Sequence, residues 1–158
     1  MHLYETKHLI AHTADDMFAL VADVERYPKF LPLCEKLKLE RRERRNGKEV
    51  LIATMVVGYK LIRESFTTEV ILDADARSIL VRYLDGPFAF LENRWSFRPI
   101  TPESCEIDFY IAYSFRSRLL ERLMGGLFAK AVRRYTAAFE ERADAIYGTS
   151  APSLASQQ

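Results

Sequence analysis

The stretch from Ser117 to Gly148, SRLLERLMGGLFAKAVRRYTAAFEERADAIYG, is the one long helical pattern in the chain, and it dictates what the remainder must supply. Apolar residues return in steps of three and four at Leu120, Leu123/Met124, Leu127/Phe128, Ala131/Val132, Tyr135, Ala138/Phe139, Ala143 and Ile146/Tyr147. That spacing keeps them on one side of a 3.6-residue repeat and leaves Arg118, Glu121, Arg122, Lys130, Arg133, Glu140, Glu141 and Asp144 for the other. Ser117 suits the N-cap and Gly148 the C-terminal stop. A helix of this span runs about 45 Å and requires a broad apolar partner surface. Gly125-Gly126 interrupts the stripe, each glycine costing about 1 kcal/mol relative to alanine. Two explanations stand: close packing or a kink, or room left beside the helix for a ligand.

The rest of the chain reads as sheet. Residues 2–10 form a first strand, and Thr13 caps a short helix with Asp15 and Asp16 at its positive end and Phe18, Val21 and Ala22 as its apolar side. Two prolines, Pro28 and Pro32, reduce the next segment to a short helical turn and a bend. Asn46-Gly47 is a type I′ hairpin signal between a strand carrying Leu37 and Leu39 and the run from Val50 to Val57. Gly58 marks a second turn, with strands expected over 59–72 and 78–84, the latter ending at Asp85-Gly86-Pro87. Over 88–98, Leu91, Asn93, Trp95 and Phe97 alternate with Glu92, Arg94, Ser96 and Arg98; after Pro99–Pro102, the segment 104–115 alternates around Ile107, Phe109, Ile111, Tyr113 and Phe115. The fold class is α+β: a curved antiparallel sheet of about seven strands gripping one long C-terminal helix, with two short helices after the first strand.

Composition narrows the function. The chain has 158 residues, 49% of them hydrophobic, and a net charge of +1. These values suit one domain at 1–148 followed by a polar, disordered tail at 149–158, and a general basic excess for DNA binding is absent. No apolar run approaches the ~20 residues that span a bilayer. MHLYETKHLI resembles neither a secretory signal nor a transit peptide. Cys34 and Cys105 form no CxxC and read as free thiols in a reducing cytoplasm.

Catalytic signatures are wanting. His8 and His12 have a zinc-like spacing, but an extended segment holds them too far apart to share a metal, so no metal site is expected. Glu64 is either an outward residue or a polar handle in a pocket. Arg41, Arg42, Arg44, Arg45 and Lys48 on the Asn-Gly hairpin are either a solvated tip or a foot on anionic lipid or RNA. Phe30-Leu31 is either a buried plug or part of a mouth turned toward a bilayer.

Several stretches together resemble the coenzyme Q-binding branch of the START-like (polyketide cyclase/dehydrase) superfamily. They are Val24-Glu-Arg-Tyr-Pro-Lys-Phe-Leu-Pro-Leu-Cys34, Glu64-Ser-Phe-Thr67, Gly86-Pro-Phe88 with Leu91, Trp95-Ser-Phe97, and Ala138–Ala143 with Tyr147-Gly148. Leu33 stands where the family usually carries tryptophan. The resemblance implies a helix-grip fold with an apolar tunnel for ubiquinone or a related isoprenoid quinone. It also implies a lipid chaperone for respiration or quinone biosynthesis. Without a transit peptide the chain looks like the bacterial form, and the expected location is the cytoplasm, with peripheral contact at the inner membrane. The wall expected from the aromatic and aliphatic residues comprises Phe30, Leu31, Phe66, Tyr83, Leu91, Asn93, Trp95, Phe97, Phe109, Tyr113, Leu120, Met124 and Phe128. A dry pocket of ~300 Å³ would cost about 7 kcal/mol if left empty, so the protein is expected to copurify with lipid. The same branch includes ribosome-association toxins, an alternative that would use the basic hairpin on the large subunit. A cyclase or dehydrase, relying on Glu64, Asn93 or Tyr113, is the second alternative to a non-catalytic carrier.

Overall fold

The computed structural model describes residues 1–149. Seven strands and two α-helices follow one another as β1 (His2–Ile10), α1 (Ala14–Ala22), a 3₁₀ turn (Val24–Lys29), β2 (Cys34–Arg45), β3 (Lys48–Tyr59), β4 (Ile62–Asp73), β5 (Ser78–Asp85), β6 (Phe88–Thr101), β7 (Ser104–Phe115) and α2 (Arg118–Tyr147). The strands form one antiparallel sheet in the order β1-β7-β6-β5-β4-β3-β2. Six strands thus meander through tight turns while β1 returns to the β7 edge. Register shifts in β2 and β6 mark bulges, which increase local twist and help the sheet curl. The expected helix-grip architecture is the one observed. Of the expected tail, residues 150–158 lie outside the described residues.

The caps follow the chemistry of the residues that make them. Thr13 Oγ1 accepts from the Asp16 N–H at 3.0 Å, and Ser117 Oγ accepts from the Leu120 N–H at 3.1 Å. Gly148 leaves α2 at φ 85°, a left-handed conformation open to glycine. Asn46 and Gly47 turn the first hairpin with φ 51° and 77°. Gly58 does not turn the chain: β3 runs through it to Tyr59, and the turn falls at Lys60 (φ 56°) and Leu61. A Cβ on Gly58 would stand 2.5 Å from the Glu35 carboxylate, so the glycine serves close approach to the neighbouring strand. Likewise β6 continues through Pro99 as far as Thr101, past the expected turn.

The core lies between the sheet and the helices. On α2, Met124, Phe128, Ala131, Val132, Ala138, Phe139 and Ala143 are buried as the stripe predicts, while Leu123, Ile146 and Tyr147 are exposed. The stripe is wider than the surface that covers it. On α1, Met17 and Leu20 are buried along with Val21, whereas Phe18 is half-buried and meets Phe97 edge to face at 6.0 Å. The helix continues through both glycines of α2. A Cβ on Gly125 would meet the Glu121 carboxylate at 2.0 Å, and one on Gly126 would meet open space. Gly125 therefore clears a path for Glu121 to reach His2 Nε2 at 2.7 Å.

Candidate functional site

The 3₁₀ turn and the bend behind it build one wall. Pro28 cannot extend a regular helix, and the backbone tightens: the N–H groups of Phe30 and Leu31 both donate to Tyr27 O, at 3.1 and 2.9 Å. The Tyr27 hydroxyl donates to Val21 O. Tyr27 and Phe30 thereby meet Phe139 of α2 edge to face, at 5.3 and 5.1 Å, and the Arg142 guanidinium lies 5.4 Å from the Phe30 ring. Leu31 is buried. Phe30-Leu31 is a plug between the bend and α2.

Behind this plug, a cavity of about 80 Å³ lies between the concave face of the sheet and α2. Val24, Tyr27 and Leu31 close it on one side. Leu37, Ala53, Met55, Phe66, Thr68 and Val70 reach it from β2–β4, and Val81, Leu91, Asn93, Trp95 and Ile111 from β5–β7. Phe128, Tyr135 and Phe139 descend from α2. No carboxylate, amine, guanidinium or imidazole is among these side chains. Asn93, the one amide, is engaged at both ends: Nδ2 donates to Tyr110 O at 2.9 Å, and Oδ1 accepts from Trp95 Nε1 at 2.9 Å. It locks the indole in place.

Electrostatically the cavity is neutral. Burial pushes the Tyr27 and Tyr135 phenols above their ordinary value, with Cys34 adding to each, and burial pushes the Cys34 thiol up to about 12. All three stay protonated at neutral pH, so Cys34 offers no thiolate nucleophile. Such a space suits an uncharged, largely apolar guest. It is small: ligand pockets typically exceed ~300 Å³, and a cavity of about 150 Å³ accommodates benzene. Left empty, it costs about 2 kcal/mol, not the 7 kcal/mol expected for a full-sized void. Admission of a ring requires the walls to separate.

Of the thirteen residues expected in the wall, Leu31, Phe66, Leu91, Asn93, Trp95 and Phe128 line the cavity. The others stand elsewhere because neighbouring elements cover them. Phe30 is turned onto Phe139, and Phe97 is covered by Phe18 of α1. Phe109 packs between Tyr4 and Trp95, and Tyr113 between His2 and Phe128. The Tyr83 hydroxyl accepts from the Phe88 N–H at 3.0 Å. Leu120 and Met124 sit on the turns of α2 before Phe128, clear of the lining, as do Gly125 and Gly126. Glu64 shares the strand face of Phe66, half-buried, but does not reach the cavity.

Sequence reasoning missed Tyr27, Tyr135 and Phe139 as wall residues, although the first lies in the Tyr-Pro motif and the others in the helix stripe. It also missed Leu37, Ala53, Met55, Val70, Val81 and Ile111, whose aliphatic character carries no signal beyond core. Thr68 lines the cavity too and was missed, its burial among apolar neighbours being a matter of tertiary packing.

The basic hairpin is extensively ion-paired. Arg41 meets Glu43 at 3.2 Å, Arg45 meets Glu43 and Glu69 at 3.5 and 3.1 Å, Lys48 meets Asp73 at 3.5 Å, and Arg42 pairs with Glu49. Arg44 donates to Gly47 O at 3.1 Å. The histidines are separate from one another: His2 bonds Glu121, His12 bonds Asp144 at 2.7 Å, and His8 contacts Thr6. Among the described residues, no helix is long and apolar enough to cross a membrane.

Comparison with known proteins adds four findings. The family model described as polyketide cyclase/dehydrase and lipid transport matches residues 10–140. The chain is 34% identical over 139 residues to the ribosome association toxin RatA of Escherichia coli, covering 88% of this chain and 85% of that one. It is 32% identical over 120 residues to the mitochondrial coenzyme Q-binding protein COQ10 of Drosophila melanogaster, covering 73% of this chain and 48% of that one. Among solved structures, a START superfamily protein from Mycobacterium smegmatis superposes with a TM-score of 0.77 at 20% identity, over 92% of this chain and 99% of that one. That likeness speaks for the fold alone.

Proposed function

This chain belongs to the polyketide cyclase/dehydrase and lipid-transport family, and from that premise we propose that it binds the ring of an isoprenoid quinone, ubiquinone or a close relative, between the sheet and α2. It acts as a carrier serving respiration or quinone biosynthesis, from the cytoplasm and in contact with the inner membrane, and not as an enzyme. The observation that carries this reading is the neutral, apolar cavity under α2, whose lining includes the hydroxyl-bearing side chains Tyr135 and Thr68. A quinone is uncharged, has a flat apolar body, and presents carbonyl oxygens that such hydroxyls can donate to. Similarity to a coenzyme Q-binding protein supports the same ligand class. The polar groups weighed for catalysis favour binding over chemistry: Asn93 has both ends occupied, Glu64 lies outside the lining, and Tyr113 is packed among rings.

The test uses the single tryptophan of the chain. Trp95 lines the cavity, so a short-chain quinone that enters it quenches the indole emission directly. Saturable one-to-one quenching, together with quinone in an organic extract of the purified protein read by mass spectrometry, is the expected result. A clean extract and an unquenched Trp95 would overturn the reading.

A second reading, attachment to the large ribosomal subunit, is favoured by the similarity to the ribosome association toxin. It would rely on Arg41, Arg42, Arg44, Arg45 and Lys48, whose ion pairs leave little unbalanced positive charge. Sedimentation of ribosomal subunits with the protein, at low and high salt, tests it. Binding that falls steeply with salt and is lost when the four arginines become glutamate is the expected signature.

A further inference from the structure

The large apolar side chains left exposed are concentrated at one end of the molecule. Antiparallel meandering sends the β3–β4 turn, the β5–β6 turn and the β7–α2 junction out of the same end of the sheet, opposite the Asn46-Gly47 hairpin. Pairing ties them together: Thr67 is opposite Asp85, Phe88 is opposite Phe115, and the Arg116 N–H donates to Pro87 O at 3.0 Å. Leu61 on the first turn is 98% exposed, Leu84 beside the second 52%, and Leu119 and Leu123 on successive turns of α2 59% and 49%.

Cations frame these leucines. Arg118 and Arg122 precede Leu119 and Leu123 one helical turn apart, and Lys60 precedes Leu61. Among the described residues, none of Lys60, Arg116, Arg118 and Arg122 has a carboxylate within ion-pair distance, and the nearby acid Glu121 is held by His2 at 2.7 Å. The hairpin cations at the other end are, by contrast, paired with Glu43, Glu49, Glu69 and Asp73.

We propose that this end of the molecule docks on a bilayer carrying anionic headgroups. Separate aliphatic side chains raised on turns and on a helix start, with Leu61, Leu119 and Leu123 each next to an uncompensated cation, fit a surface that accepts apolar insertion and attracts positive charge. Phe88 lies just inside this end, with its ring 5.4 Å from Phe66 and 5.2 Å from Phe128, both of which line the cavity. Docking thus sets Phe88, which packs on two rings of the cavity wall, toward the membrane. The proposal gains its purpose from the quinone-carrier reading, but vesicle binding requires no cargo, so each can fail without the other.

The experiment is co-sedimentation of the full chain with vesicles of phosphatidylcholine and phosphatidylglycerol, and with vesicles of phosphatidylcholine alone. The protein is expected to bind the mixed vesicles and to release them at high salt. Leu119→Asp with Leu123→Asp is expected to weaken binding at least tenfold, and Arg118→Glu with Arg122→Glu by about fivefold or more per position. All four positions are exposed, and unchanged Trp95 emission checks the fold. Replacing Arg41, Arg42 and Arg45 by glutamate at the far end is expected to leave vesicle binding unchanged. Failure of the wild-type chain to bind, loss through the hairpin variant alone, or full binding by the leucine variant would each overturn the proposal. A concentration-dependent dimer abolished by Leu123→Asp, with no vesicle binding, would assign the surface to a second copy and likewise overturn it.

Discussion

The Trp95 indole meets the Phe139 ring edge to face, with centroids 5.1 Å apart and planes at 81°, joining the middle of β6 to the last third of α2. Phe139 also receives Tyr27 at 5.3 Å and Phe30 at 5.1 Å, so one ring holds sheet, bend and helix together. Phe139→Ala should cost about 3–5 kcal/mol, a large share of an ordinary stability of ~5–15 kcal/mol. Urea unfolding would show a lower midpoint at similar slope, and Trp95 emission would shift to the red as water reaches the indole.

Ala53 faces the cavity from β3 and is itself buried. Replacing its methyl by the isobutyl group of leucine fills the void that the native chain leaves. Ala53→Leu should therefore raise stability by up to about 2 kcal/mol, less whatever strain repacking introduces. The same change should abolish quenching of Trp95 by a short-chain quinone. A stabilised variant that still binds quinone normally would show that the ligand lies elsewhere.

The architecture was legible because each element carries its own period. The α2 stripe, the alternation over 88–98 and 104–115, and the Asn46-Gly47 turn all repeat signals that local backbone geometry imposes. The Lys60-Leu61 turn was not legible, since neither residue is a turn former, and Gly58 two positions earlier drew the assignment instead. The cavity wall was half legible. Strand parity places Trp95 and Phe97 on one face, but not which of them another element covers. Phe97 falls under Phe18 of α1 and Trp95 does not, a difference of tertiary packing. Phe30-Leu31 was undecidable for the same reason, because the plug exists only once Phe139 is brought opposite it.

Alkaline pH should destabilise the protein more than its exposed groups alone predict. Burial raises the thiols of Cys34 and Cys105 from 9.0 to about 12 and about 11, and the phenol of Tyr113 from 10.0 to about 12. The native chain keeps protons that the unfolded chain releases. The stabilisation is therefore complete below the unfolded values, near pH 9, and is lost as pH rises through the folded ones. Each such group contributes at most about 1.4 kcal/mol per pH unit inside that window. Urea midpoints measured at about pH 8 and about pH 10.5 should differ, and Cys105→Ala should reduce the difference.

Tyr135 is the residue we propose to meet the ligand's polar end. Its ring meets Phe109 edge to face at 6.4 Å, and it lines the cavity from α2 together with Phe128 and Phe139. The neighbouring Tyr27 hydroxyl is committed to Val21 O. The Tyr135 phenol, its ionisation suppressed chiefly by burial, stays a hydrogen-bond donor throughout the physiological range. Tyr135→Phe removes that donor and keeps the ring. If the phenol holds a quinone carbonyl, affinity should fall by about tenfold, the value of one hydrogen bond of about 1.4 kcal/mol. A hydrocarbon probe of similar shape, lacking carbonyls, should bind the variant and the native chain equally. Trp95 quenching reads the quinone, and displacement of a bound quinone reads the hydrocarbon. Equal losses for both probes would mean that the substitution disturbed packing instead of recognition, and an unchanged quinone affinity would remove Tyr135 from the site.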